Sequence, residues 1–563
     1  MSELESRKSV FLNKIKPFFK NPYKIASVGV LLLALILRLY YLDVGLEQAA
    51  WWDAADYLSS AKIIGGKLAT SGGYDWTATR PIFLGLMWGM FFRLGLGEWS
   101  LHLSEIFFAV LGTLFVYLLG KEYYDKKVGL IAALIFSVFY LHLFYTIRLM
   151  SDVPAIAMWF GSAYFFYKGF VKEEGNKFKI LSAIFLSAAL FMRAATIFEI
   201  PVFGLWLLVT KKFKFLKDKY FWYSILAAFL VFLPNLISIM IIHGGNPVFK
   251  FLGIGAGRFA SASGWPHWSV FFTWLYMLPA SMGWQFFIPF LFGLYIFFEM
   301  FLGFDFILKG KTEGKKLLPA LLMLIWIIVP FTYHTLYAGS TLDERYFFYI
   351  YPPLFIISAQ GFMIIYKILN KAITSAIKWK HIKYLTSILI ILIIASGAYA
   401  QIQRGDLLIK NKQSSYYPVK LAGLWIKENS NPEDIIISGS RYQNIYYSER
   451  DTYNFALENY ADRDLIFKET AEQNIPREMH GYLTEETFDK LISKLKPRFM
   501  AVSIFESHPP WAYTYADRHP NVKPVQGYLA DNSQQPVLII YEFNWNKKGV
   551  DIPEPVFALT GEE

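Results

Sequence analysis

Apolar runs of about 20 residues recur from position 23 to position 400, divided by short polar turns, and beyond "GAYAQIQRGD" the pattern breaks into shorter segments. Each long run suffices to cross ~30 Å of hydrocarbon as a helix, a form that satisfies its own backbone groups in lipid. The runs predict about 11 transmembrane helices, and up to 13 if two ambiguous stretches are added. The first is 81–97, "PIFLGLMWGMFFRLGLG", and the second is 268–283, "WSVFFTWLYMLPASMG". With roughly a dozen clean apolar residues, 81–97 reads as a re-entrant or interface-lying helix.

Lysine placement orders these runs, because short cytoplasmic loops collect Lys and Arg. Basic segments at the N-terminus, 121–127, 168–179, 211–219, 309–316 and 367–383 alternate with poorly basic turns such as "IRLMSDVP" and "YAGSTLDERY". With the basic set inside, residues 1–24 are a cytoplasmic N-terminus, and 25–400 form a transmembrane domain with an outer loop at 43–100. The basic N-terminus and the absence of a small-residue cleavage site after the first run predict a retained anchor. Residues 401–563 are polar, with helix-like "PVKLAGLWIKENS" and "TEETFDKLISKLKP" and strand-like "DIIISGS", "RFMAVSIF" and "PVLIIYEF". They predict an extracytoplasmic α/β domain. The fold class is therefore a polytopic α-helical membrane protein with a C-terminal α/β domain, in the cell membrane.

Composition agrees with this pattern. The chain is 55% hydrophobic, 19% aromatic and 18% charged, with a mean hydropathy of +0.34, too apolar for an ordinary soluble domain. The net charge of +11 fits loops facing anionic lipid, and no nucleic-acid module is visible. The chain has no cysteine, which excludes disulfides and thiolate metal sites.

The topology places Asp53 and Asp56, Arg80, Arg148 with Asp152, and Asp343 with Glu344 and Arg345 on one side of the membrane. Ionisable groups at membrane depth mark functional pathways. Asp53, in "WWDAADYL", reads either as an N-cap or as a general base in an aromatic setting. Trp52 and its neighbours exclude water and offer faces for a sugar ring. Asp56 shares the helix face of Asp53 or is solvated. Ser151 or Asp152 reads as a helix cap ahead of Pro154, or Asp152 orients an acceptor hydroxyl or binds a cation with Asp53. Arg80, Arg193, Arg258 and Arg345 read as snorkelling side chains or as a set that holds a phosphate through forked hydrogen bonds. "FLGIGAGRFASASG" reads as a lid, and His243, His267 and His334 lack metal-ligand spacing.

These features together resemble the GT-C membrane glycosyltransferases, in the branch of dolichyl-phosphate-mannose protein mannosyltransferases and lipid A aminoarabinose transferases. The resemblance rests on "WWDAADYL", "TATRPIFLGLMWGMFFRLG", "YTIRLMSDVPAIAMWF", "LFMRAAT" and "DERYFFYIYPP", in that order over about 400 residues. It implies Asp53 as catalytic base, Asp152 as a second active-site acid, and Arg80 and Arg345 beside the donor phosphate. The family's first-loop acidic pair is adjacent, whereas here Ala54 and Ala55 separate Asp53 from Asp56. "WWDAA" also resembles the WWDYG signature of oligosaccharyltransferases, which lies in their soluble C-terminal domain.

The expected function is transfer of a sugar from a polyprenyl phosphate to a hydroxyl acceptor on the outer face, with inversion. Trp52, Asp56, Arg193, Arg258 and Glu344 complete the expected binding residues. The expected partners are the lipid-linked donor, a glycan, lipid or protein acceptor, and membrane lipids, but no nucleic acid. No cofactor is required, although paired acids leave room for a divalent metal. A transporter or lipid flippase, and an oligosaccharyltransferase-like enzyme, are the alternatives.

Overall fold

Hydrophobic length sets the architecture of the computed structural model, which describes residues 21–68, 80–243, 245–248, 251, 266–310, 312–337, 344–376, 382–455, 483–506, 508–529, 535–545 and 556–559. Among the described residues eight helices are long and apolar enough to cross a membrane, and nine if the bent pair Lys126–Val138 and Tyr140–Thr146 is one span. The larger count expected from the sequence includes segments that fold as shorter apolar helices. Asn176–Met192 has 17 residues and Trp268–Met282 has 15. The 81–97 stretch yields only Phe83–Arg93, of 11 residues, whose rise of ~16 Å is about half the hydrocarbon thickness.

The described residues fall into two compact units. The first takes those within Met1–Asp43, Ala78–Phe83 and His102–Lys410, and the second those within Val44–Thr77, Leu84–Leu101 and Asn411–Glu563.

In the first unit a helix break leads to the Arg148–Asp152 segment. The Lys126–Val138 and Tyr140–Thr146 helices meet at 55°, with Phe139 extended between them. A break frees backbone groups that lipid cannot satisfy. Buried Arg38 donates to the Ser137 carbonyl oxygen at 3.0 Å and lies 2.6 Å from His142 Nδ1. On the far side, the Tyr140 N–H donates to Gln401 Oε1 at 3.2 Å. Two long-range side chains thus replace the lost helical bonds. Elsewhere in this unit, Trp284–Gly293 packs on Tyr351–Ala376 so closely that a Cβ on Gly361 would overlap the Pro289 carbonyl oxygen.

The second unit is built on a six-stranded sheet, β1 (Ile435–Ser438), β2 (Asp451–Tyr453), β3 (Phe499–Ser503), β4 (Val522–Leu529), β5 (Pro536–Phe543) and β6 (Val556–Leu559), ordered β2-β1-β3-β5-β4-β6. β1 runs parallel to both β2 and β3, whereas β5 is antiparallel to β3 and β4. Alternation along the strands feeds two cores. Ile436, Phe499, Ala501 and Ile540 pack with Val419, Ala422 and Ile426 of the Tyr417–Glu428 helix, while Ile437, Met500, Val502 and Tyr541 pack with Phe488 and Ile492 of Glu485–Leu495. The Thr484 hydroxyl caps the latter helix, accepting from the Thr487 N–H at 3.2 Å.

The Trp52–Ile64 helix belongs to this unit and docks on Arg441–Ser448. Lys62 Nζ donates to the Tyr446 carbonyl at 3.0 Å and to Glu449 Oε1 at 2.7 Å, and Ser59 donates to the Tyr442 carbonyl at 3.2 Å.

Candidate functional site

The first unit gathers several expected residues around the start of the Asp152–Phe166 helix. Ser151 holds the N-cap position without a side-chain cap bond, and Asp152 is the first helical residue, with Pro154 two positions further on. Its carboxylate faces another helix end. Arg193 Nη1 lies 2.8 Å from Asp152 Oδ2, with the acid side chain 2% exposed. Arg193 occupies the C-cap of Asn176–Met192, in extended conformation, which turns its guanidinium across to the Asp152 turn and 3.4 Å from Ser151 Oγ.

Tyr346 extends this cluster. The Arg193 and Arg345 guanidiniums lie 5.9 and 5.3 Å from its ring centroid. Two forked cations around one aromatic ring are a chemistry suited to a phosphate with an organic leaving group. Glu105, fully buried, is in electrostatic contact with Asp152, and Tyr349 stacks on Trp159 with centroids 4.6 Å apart. Neither Glu105 nor Tyr346 was singled out by sequence, since only the fold brings them to Asp152.

Arg80 is half-buried, in the bend preceding Phe83–Arg93. The Ile82 N–H donates to Asn235 Oδ1 at 3.1 Å, and Phe83 meets Phe191 at 5.3 Å. These contacts tie the Arg80 segment to the helix that ends at Arg193. Glu344 has a different environment, for its carboxylate accepts from Ser281 at 2.9 Å and from the Tyr140 hydroxyl. Arg148 lies over Phe144 at 4.2 Å. Arg258, Asp343 and the "GIGAG" stretch lie outside the described residues.

The second unit carries Asp53. Trp51 occupies the N-cap, extended and without a side-chain cap bond, so Asp53 is not the cap but sits in the first turn. There it complements the helix dipole. Asp56 is 3% exposed, so it is buried rather than solvated. Trp51 approaches Tyr416 at 6.3 Å, and Trp52 meets Tyr442 edge-on at 5.2 Å. Burial raises the Tyr416 hydroxyl above its ordinary range, and the charges of Glu506 and Asp53 add to this. Glu506 thus joins the aromatic surroundings of Asp53, a neighbour that nothing in the local sequence signals. Among the described residues no group of three or more His, Asp or Glu is placed to hold a metal ion.

Comparison with known proteins follows this geometry. Residues 79–237 match the family described as dolichyl-phosphate-mannose-protein mannosyltransferase. No protein of curated function matches the chain by sequence. Among solved structures, ArnT from Cupriavidus metallidurans bound to undecaprenyl phosphate is similar, with a TM-score of 0.64 at 13% identity, covering 91% of this chain and 97% of that one. The archaeal oligosaccharyltransferase AglB from Archaeoglobus fulgidus, in complex with an inhibitory peptide and a dolichol-phosphate, gives a TM-score of 0.53 at 15% identity over 86% and 70% of the two chains. The chain has the GT-C fold of multi-pass membrane glycosyltransferases.

Proposed function

We propose that the protein transfers a sugar from a polyprenyl-phosphate donor to a hydroxyl acceptor on the extracytoplasmic face. Asp53 takes the proton of the acceptor hydroxyl, whose oxygen attacks the anomeric carbon as the bond to the phosphate oxygen breaks. The sugar inverts, and the polyprenyl phosphate leaves with the bond's electron pair. Arg345 and Arg80 hold that phosphate, while Arg193 is tied to Asp152 and keeps the cationic wall in place. The Trp52 ring supports the acceptor, and the C-terminal α/β part lies outside the cell membrane.

The observation that carries this reading is the Asp152–Arg193 pair with Arg345 gathered on the Tyr346 ring, within a GT-C fold. A transporter needs charges along a continuous path through repeated halves, whereas these charges converge on one ring. The test is purified protein in nanodiscs, supplied with polyprenyl-phosphate hexoses and pentoses and a membrane glycolipid extract. Release of polyprenyl phosphate coupled to a labelled product supports the reading. No donor consumption with any of these sugars refutes it.

A further inference from the structure

The strand order β2-β1-β3 means that the chain leaves β1 to return on one side as β2 and later on the other side as β3, both parallel to it. In open α/β sheets such a reversal opens a crevice at the carboxyl ends of the strands, where ligands are held. Here those ends are joined by Ser440 and Ser503, whose hydroxyls are 3.3 Å apart. Gln443, in the helix that follows β1, and Glu506, just beyond β3, project from them.

This crevice carries an unusual polar demand. Gln443 is fully buried; its amide and the Glu506 carboxyl contact each other, but no hydrogen bond of standard geometry satisfies both Gln443 amide atoms or Glu506 Oε1 among the described residues. Buried polar atoms left short of well-formed hydrogen bonds are costly, and this pair marks the crevice as shaped for a polar ligand. The crevice also has aromatic walls. Tyr416 touches Phe505 at 5.6 Å and Trp51 at 6.3 Å, while Tyr442 meets Trp52 at 5.2 Å. Tyr416 adopts a left-handed backbone, φ 63°, a conformation unfavourable for a non-glycine residue.

We propose that the crevice binds the carbohydrate ring of the acceptor, with Glu506 hydrogen-bonding its hydroxyls, Gln443 positioning Glu506, Tyr416 and Trp52 stacking against the sugar, and buried Tyr442 backing Trp52. The placement of a hydroxyl at Asp53 rests on the glycosyltransferase reading, but the carbohydrate site does not. Burial pushes the Glu506 carboxyl up to about 7 against the opposing contact of Gln443, so above that value it is ionised and accepts charge-assisted hydrogen bonds from sugar hydroxyls, which an amide does not replace. The other titratable group in electrostatic contact with it is Tyr416, which also feels Asp53.

The test uses the full chain in nanodiscs with methyl glycosides of glucose, mannose and galactose as probes, without donor, followed by saturation-transfer NMR and melting shifts. Wild type should bind at least one probe, and Glu506→Gln should weaken it tenfold or more at a melting temperature no lower than that of wild type, with Glu506→Asp in between. Equal binding by Glu506→Gln, or binding of no probe by wild type, overturns the site. Sugar transfer is followed in parallel. A raised acceptor KM with unchanged donor KM in Glu506→Gln supports the site, whereas unchanged values for both overturn it. Glu506-dependent probe binding with no transfer from any polyprenyl-phosphate donor keeps the carbohydrate site and removes the transferase reading.

Discussion

Arg193 Nη1 and Asp152 Oδ2 lie 2.8 Å apart, with their side chains 14% and 2% exposed, joining the end of one helix to the start of another. A pair this buried is held by mutual dependence, since removing one partner strands the other charge and costs ~3–5 kcal/mol. Arg193→Ala should therefore lower the melting temperature sharply. Asp152→Asn with Arg193→Gln, which removes both charges together, should recover much of the loss. A double variant no more stable than Arg193→Ala would show that the arginine acts elsewhere.

Arg345 and Arg80 are expected to act on ligand rather than on folding. Arg345 lies 5.3 Å over Tyr346, and both it and Arg80 are only half-buried, so each is partly open to a ligand. Each alanine variant should weaken donor binding by the worth of one charge-assisted contact, about 1.5–3 kcal/mol, with a small change in melting temperature. Titration of a polyprenyl-phosphate sugar into nanodisc-held variants measures this. Wild-type donor affinity in both variants would leave these arginines as anchors to lipid headgroups.

For Asp53, the cap geometry separates two roles that the sequence left open. Because Trp51 is the N-cap, replacing Asp53 leaves the cap position unchanged, and the dipole interaction it affects is worth ~0.3–1 kcal/mol. Asp53→Asn should thus melt within a few degrees of wild type while turnover falls at least ~100-fold, as expected for a lost general base. Near-normal transfer by this variant would hand the catalytic role to another group.

What the sequence revealed followed the range of each physical signal. The strands β1, β3 and β5 are continuous apolar runs and were readable as such. β4, "VKPVQGYL", was not, since Pro524 and Gly527 break the strand signature and the ladder shifts register between Pro524 and Gln526. β2 has only three residues, too few for any alternation to show. The arginines were legible one by one, but not their arrangement, because the link from Asp152 to Arg193 depends on helix packing. Glu506 and Gln443 carried no local signal. Their meaning comes from the strand order, which no periodicity reports.

Gly361 tests the packing of the first unit. A Cβ there would meet the Pro289 carbonyl oxygen and the Gly293 backbone, neither of which can move without shifting a helix. Gly361→Ala should cost ~1–3 kcal/mol through overpacking. Gly204→Ala, in the Glu199–Lys211 helix where a Cβ meets nothing within 4 Å, should be neutral or slightly stabilising. Equal melting temperatures for the two variants would contradict the close helix contact.

The Glu506 carboxyl leaves a signature in stability as well as in binding. Burial raises it from an ordinary 4.5 to about 7, so as pH rises the unfolded chain releases this proton first. Between those two values the native state holds more protons than the unfolded state, and stability falls with rising pH. The cost of burying the charge is absent below the lower value and complete above the upper one. Glu506→Gln keeps the shape and never ionises, so its melting temperature relative to wild type should be higher at pH 8 than at pH 5. Groups that titrate alike in both proteins cancel from that difference, including Glu485, which Arg518 and His519 hold below its ordinary value. The measurement is thermal unfolding of both proteins in nanodiscs across this range. A difference that stays constant with pH would mean that Glu506 is solvated, and with it the polar demand of the crevice would vanish.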